Sequence, residues 1–174
     1  MQPVSRRHLA SNASAKRVAV KFRIVALGHR MPAWVSEGCA DYARRLPREY
    51  GLEVVELKPT ARDSGRTAAQ ILAAEALRIR AACTRCTMVV LDERGAAWTT
   101  REFAARIEGW RDAAQEIAFV IGSADGLDEG VKAAAAAKFS LSALTLPHGL
   151  ARVMLVEQLY RAASILTGHP YHRD

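Results

Sequence analysis

The sequence predicts an α/β fold, with a mostly parallel sheet flanked by helices on both faces. Two observations carry this. Short strand-like segments alternate with segments of helical period all the way from Val20 to the C-terminal end. The chain has 174 residues, 50% of them hydrophobic, which supplies one respectable core and leaves little room for a second.

The elements follow in order. "VKFRIVALG" (Val20–Gly28) alternates as a strand does, and "AWVSEGCADYARRL" (Ala33–Leu46) follows at helical period after Pro32. "LEVVELK" reads as the second strand, and Thr67–Ala82 as the second helix. Between them "PTARDSGRT", Pro59–Thr67, is the stretch expected to be flexible. "TMVVLD" reads as a buried strand, and Thr99 with Glu102 offers a reciprocal cap for a helix running to about Trp110. "EIAFVIG" is the next strand, Asp128–Lys138 the next helix, and "FSLSALTL" a final strand or extended loop. The last helix starts at Pro147 or His148, where proline suits the first turn, and runs to about Thr167. It is apolar nearly all round, so it needs cover on every side, from the sheet or from a second subunit. A homodimer is the expectation drawn from it.

Composition narrows the function. The formal charge is +7, but Arg6, Arg7, Lys16 and Arg17 supply four of these charges, leaving +3 beyond residue 19. That balance points to a polyanionic partner without identifying it. Residues 1–19 hold no acid and few apolar groups, and are expected to be a disordered basic extension ahead of one domain, 20–174. The run "VMLV" is cut off by Glu157, with Arg161 four residues later, so no membrane span is expected and a cytoplasmic location is. Three cysteines suit a reducing compartment. Cys83 and Cys86 form a C-x-x-C that closes an Ala-rich helix, whereas a thioredoxin-like pair opens one. No second ligand pair stands at zinc spacing, and His169 with His172 cannot complete a site, so no metal is expected.

Ligands of such sheets sit beyond the carboxyl ends of the strands. Three ends qualify: Leu91-Asp92, the turn "GSADG" from Gly122 to Gly126, and "LTLPHG". The dinucleotide fingerprint G-x-G-x-x-G is missing, which leaves a nicotinamide-dependent oxidoreductase a poor third reading. Glu157 and Arg161, spaced i,i+4 in apolar surroundings, fit a structural ion pair and a functional one equally well.

"SLSALTLPH", "RVMLVEQLYRA" and "HPYHRD" together resemble the ribosomal RNA large subunit methyltransferase H family, of the SPOUT superfamily of trefoil-knotted methyltransferases. The resemblance covers Val20 to Asp174 and is most specific in the C-terminal third. It implies a C-terminal trefoil knot and methyl transfer from S-adenosylmethionine to N3 of a pseudouridine in 23S ribosomal RNA of the assembled ribosome. It also implies that Leu91, Gly122, Leu141, Ser142, Ala143, Leu144, Thr145 and Leu146 wrap the adenosine moiety. Small and aliphatic side chains with accessible backbone groups suit that task without a charged side chain.

The chemistry of methyl transfer then suggests roles for the tail. His172 is the candidate base for the imino proton. Arg161 would stabilise charge on the neighbouring carbonyl oxygens, with Glu157 orienting it and Tyr171 stacking on a base. In a dimer, one protomer's tail could complete the other's site. His148 is a cap or a packed residue.

Two departures stand out. The family usually shows two consecutive glycines where this chain has Gly122-Ser123, so Ser123 is strained if that position needs positive φ. Members also commonly begin with methionine at the place of Val20, which is therefore expected to be the true start. The rival readings are a superfamily methyltransferase acting on transfer RNA and a non-catalytic ribosome-binding module that keeps the fold.

Overall fold

The structure, a computed structural model, describes residues 20–28, 30–62 and 65–173. The expected extension, residues 1–19, lies outside them, as do Asp63 and Ser64 of the Pro59–Thr67 stretch.

Five strands form one sheet in the order β2-β1-β4-β3-β5, and every pairing is parallel. The strands are β1 (Val20–Leu27), β2 (Tyr50–Leu57), β3 (Thr87–Ala97), β4 (Ile117–Ile121) and β5 (Ala137–Ser140). Between them run α1 (Ala33–Arg45), α2 (Ala68–Ala82), α3 (Thr100–Asp112) and α4 (Glu129–Ala134), and α5 (His148–Thr167) closes the chain. All five residues of the central strand β4 are buried. Alternate side chains point to opposite faces of a strand, so the sheet feeds two cores. Phe22, Ile24, Phe119 and Phe139 meet Phe103, Ile107, Leu155 and Leu159 on one face. On the other, Val25, Val90 and Val120 meet Ala76, Ile79 and Val131.

The helix signals act as read. Thr67 and Thr99 each accept a hydrogen bond from the third residue of α2 and α3, while Gln70 and Glu102 reach back to the cap nitrogens. Gly168, at φ +70°, ends α5 in the left-handed conformation that glycine adopts without a Cβ penalty.

Helix α5 lies against α1, α3 and the sheet, with Leu155, Val156, Leu159, Ala162 and Ala163 at 0% exposure. Its apolar circumference is thus covered largely within the chain, and the case for a dimer no longer rests on it. Arg152 is buried too, tying α5 to the strand ends by donating to Glu56 Oε1 (2.5 Å) and the Gly28 carbonyl (2.8 Å).

The bounds of three elements, α4, β5 and β3, differ from expectation. The helix expected over Asp128–Lys138 stops at Ala134, because Ala136 donates to the Met88 carbonyl (2.8 Å) and Ala137 pairs with Val89. Five consecutive alanines favour helix, but a place in the sheet outweighs that local preference. Strand β5 accordingly begins before "FSLSALTL" and includes only Phe139 and Ser140 of it, leaving 141–147 as an irregular segment. Strand β3 runs on past Leu91, shifts register, and rejoins β5 at Ala96 and Ala97. Gly95 makes this possible, since a Cβ there would lie 2.6 Å from the Phe139 nitrogen.

Candidate active site

A cavity of about 470 Å³ opens at the carboxyl ends of β4 and β5 and beside Leu91–Arg94 of β3, where that strand shifts register. Leu91, Gly122, Leu141, Ser142, Leu144, Thr145 and Leu146 line it; Ala143, between two lining residues, does not. Local hydrogen bonds shape the irregular wall. The Ser142 hydroxyl accepts from the Leu144 N–H (2.9 Å), and the Ser140 hydroxyl donates to the Ser142 carbonyl (2.8 Å). These short polar side chains hold the backbone in a turn and leave Leu144, 77% exposed, on the rim.

Gly122 is required by close approach. A Cβ there would sit 2.4 Å from the Gly126 carbonyl oxygen, a distance real side chains do not show. Ser123 is not strained, correcting the concern over the missing second glycine. The left-handed conformation falls on Gly126, at φ +87°, while Ser123 and Gly126 exchange backbone hydrogen bonds of 3.1 and 2.9 Å. The Ser123 hydroxyl donates to Glu75 Oε2 (2.9 Å).

The cavity also has a charged sector that residue type alone had not suggested. Asp92, Glu93, Arg94, Asp125 and Lys132 all line it. Asp92 lies 2.9 Å from Lys132 Nζ and accepts from the Arg94 N–H (2.8 Å). The Lys132 ammonium, and secondarily the Arg94 N–H, hold the Asp92 carboxyl below its ordinary range, while burial opposes them. Asp92 had a signal in the sequence, an acid at a strand's carboxyl end; Lys132, on the surface of α4, had none. His148, the first residue of α5, lines the wall as well. Burial and then the nearby Arg152 cation push it below the usual histidine value.

The C-terminal residues gather elsewhere. Arg161 donates to Glu157 Oε1 through Nε (2.9 Å) and a terminal nitrogen (2.5 Å), and the Tyr171 hydroxyl donates to the same oxygen (3.1 Å). Glu157 Oε2 accepts from Gln158 (2.6 Å). The Arg161 guanidinium lies 4.7 Å from the Tyr171 ring centroid, and that ring packs on Tyr160 at 4.5 Å. Burial first, then the Tyr42 hydrogen bond and the Glu157 charge, push the Tyr171 phenol up, so it stays protonated. Half-buried His172 follows in the chain.

None of these four residues lines the cavity. Along α5, Glu157 stands nine residues past His148, about 14 Å at helical rise, and Arg161 about 20 Å. One chain therefore holds a cavity at one end of α5 and the hydrogen-bonded cluster of Glu157, Arg161 and Tyr171 towards the other. Among the described residues no group of histidine, cysteine, aspartate and glutamate has metal-binding geometry, and no helix is long and apolar enough to cross a membrane.

A family model described as a predicted SPOUT methyltransferase matches residues 20–172. Ribosomal RNA large subunit methyltransferase H of Nitrosospira multiformis is 52% identical over 155 residues, covering 88% of this chain and 99% of that protein. The protein of the same name from Thiobacillus denitrificans is 54% identical over 156 residues, covering 89% and 100%. Among solved structures, a probable methylase family protein from Haemophilus influenzae Rd KW20 superposes with a TM-score of 0.56 at 14% identity, over 90% of this chain and 71% of that one. A probable methyltransferase from Bordetella pertussis Tohama I gives 0.53 at 20% identity, over 84% and 96%. At such identities these two structures speak to the fold alone. The chain belongs to the SPOUT methyltransferases, in the ribosomal RNA large subunit methyltransferase H family.

Proposed function

We propose that the protein is an S-adenosylmethionine-dependent methyltransferase that methylates N3 of a pseudouridine in 23S ribosomal RNA of the assembled ribosome, working as a homodimer in the cytoplasm. The observation that carries this reading is the cavity at the strand ends, with its glycine-cradled turn and hydrogen-bonded irregular wall, in a chain about half identical to methyltransferases acting on large-subunit RNA. About 470 Å³ is a volume suited to a cofactor-sized ligand, and the closed approach of Gly126 to Gly122 leaves main chain rather than side chain along one wall.

When bound, the donor supplies its sulfonium methyl group as the electrophile, open to in-line attack, and its sulfur keeps the bonding electron pair. The protein's own residues do the rest. Leu91, Gly122, Leu141, Ser142, Leu144, Thr145 and Leu146 hold the donor and set its direction, while Ala143, which does not line the cavity, serves only to carry the chain between them. The imino proton passes from N3 to His172. Arg161, oriented by Glu157, faces the negative charge that spreads onto the carbonyl oxygens, and Tyr171 contributes a ring for stacking.

Because the cavity and the tail cluster lie apart along α5 in one chain, the tail of one protomer is read as serving the cavity of its partner. A C-terminal trefoil knot is part of this reading, and the close packing of Gly95 on the Phe139 backbone, where β3 shifts register against β5, is compatible with it. No metal is needed. A core charge of only +3 gives a single subunit little grip on RNA, so two subunits and the shape of the ribosome supply recognition.

The test is incubation with labelled S-adenosylmethionine and ribosomes lacking the modification, followed by nucleoside mapping. The expected product is N3-methylpseudouridine in 23S RNA. Label on a ribose, on transfer RNA, or equally fast on naked RNA fragments would overturn the assignment.

A further inference from the structure

Glu75 takes no part in the chemistry above, yet it is a carboxyl group at 1% exposure on α2, a helix on the opposite face of the sheet from α5. Burying such a group is costly unless hydrogen bonds compensate. Its two oxygens reach two separate segments: Oε1 accepts from the Thr60 N–H (2.9 Å), in the connection between β2 and α2, and Oε2 from the Ser123 hydroxyl (2.9 Å), in the cavity turn. A second tie joins the same segments, where Arg62 meets Asp125 at 2.9 Å. Arg78 anchors the connection from below by donating to the Lys58 carbonyl and the Thr60 hydroxyl.

We propose that Glu75 is a positioning residue for the methyl-donor pocket, latching the cavity turn to the β2–α2 connection through the Ser123 hydroxyl. The proposal rests on the reading of the cavity as the donor site. Ser123 lines the cavity and Glu75 does not, so Glu75 acts through it. The turn transmits the restraint. Ser123 and Gly126 are locked by two backbone hydrogen bonds, and the Gly126 carbonyl presses on Gly122, so a shift at Ser123 moves the whole wall. The Ser123 hydroxyl thus has a dedicated buried acceptor.

Calorimetric titration with S-adenosylhomocysteine tests this on the wild type, Ser123→Ala, Glu75→Leu, their double variant and Glu75→Gln. Ser123→Ala and Glu75→Leu are each expected to weaken binding about tenfold, the scale of one lost hydrogen bond to a carboxyl group. The double variant should bind no more weakly than Glu75→Leu alone, because both changes remove one link. Glu75→Gln, which keeps an acceptor for Thr60 and an amide for Ser123, should stay within about threefold of wild type. On ribosomes, KM for the donor should rise while kcat at saturation holds. Unchanged binding by Ser123→Ala, or losses that add in full, would overturn the latch. If Glu75→Leu does not fold, Ser123→Ala and Glu75→Gln still decide. A wild type that does not bind the probe would instead remove the donor reading itself.

Discussion

Gly122 and His172 mark the two halves of the proposed chemistry, and each makes a separable prediction. Gly122→Ala forces a Cβ against the Gly126 carbonyl, so the turn must shift. Overpacking of this kind typically costs about 1–3 kcal/mol. The thermal midpoint should fall, and S-adenosylhomocysteine affinity should drop at least tenfold by calorimetry, roughly that same energy expressed as binding. Wild-type affinity in the variant would show that the turn does not face the donor. His172→Ala should do the reverse, lowering turnover on ribosomes with little change in donor affinity; undiminished turnover would remove it from the base role. The need for glycine at 122 was legible, since a strand-to-helix turn at a sheet's carboxyl edge calls for close backbone approach. That Gly126 rather than Ser123 takes positive φ was not, because it depends on which two residues exchange hydrogen bonds across the turn.

Local signals and pairing divide the credit among the elements. The reciprocal cap of α3 was readable because Thr99 and Glu102 need only each other's backbone. The α4 to β5 boundary was not, since Ala137 is extended only because β3 lies beside it. Helix α5 has the largest energetic weight. Leu159, at 0% exposure, packs between the sheet and the other helices on its face, and Leu159→Ala should destabilise the fold by about 2–5 kcal/mol in denaturant titrations. A loss near zero would mean that α5 is not packed as described. The first residue of α5 adds a pH dependence. His148 is held below its ordinary value when folded, so the unfolded chain binds the proton at higher pH than the folded chain does. Its contribution is full above the ordinary histidine value and is lost as pH falls through that value towards the depressed folded one. His148→Gln should therefore flatten the decline in thermal midpoint between about pH 8 and about pH 5, and an equally steep decline would contradict the assignment.

For the whole molecule, a mostly parallel sheet with helices on both faces follows from the rhythm of the sequence, but the distance between the cavity and the cluster of Glu157, Arg161 and Tyr171 does not. Spacing along the chain puts Leu146 and Glu157 close together, whereas a straight helix carries them apart. The charged sector opposite, with Asp92 and Lys132 brought together from β3 and α4, likewise exists only in the folded chain. If donor cavity and tail come from different protomers, variants damaged in one half should complement each other. Gly122→Ala and His172→Ala proteins, each impaired alone at limiting donor, would be mixed under conditions that let subunits exchange and then assayed on ribosomes lacking the modification. The account predicts recovery to about a quarter of wild-type methylation, since half of randomly mixed dimers are hybrids and each hybrid has one intact site. Methylation no higher than in the separate variants, once hybrid dimers are shown to be present, would contradict it.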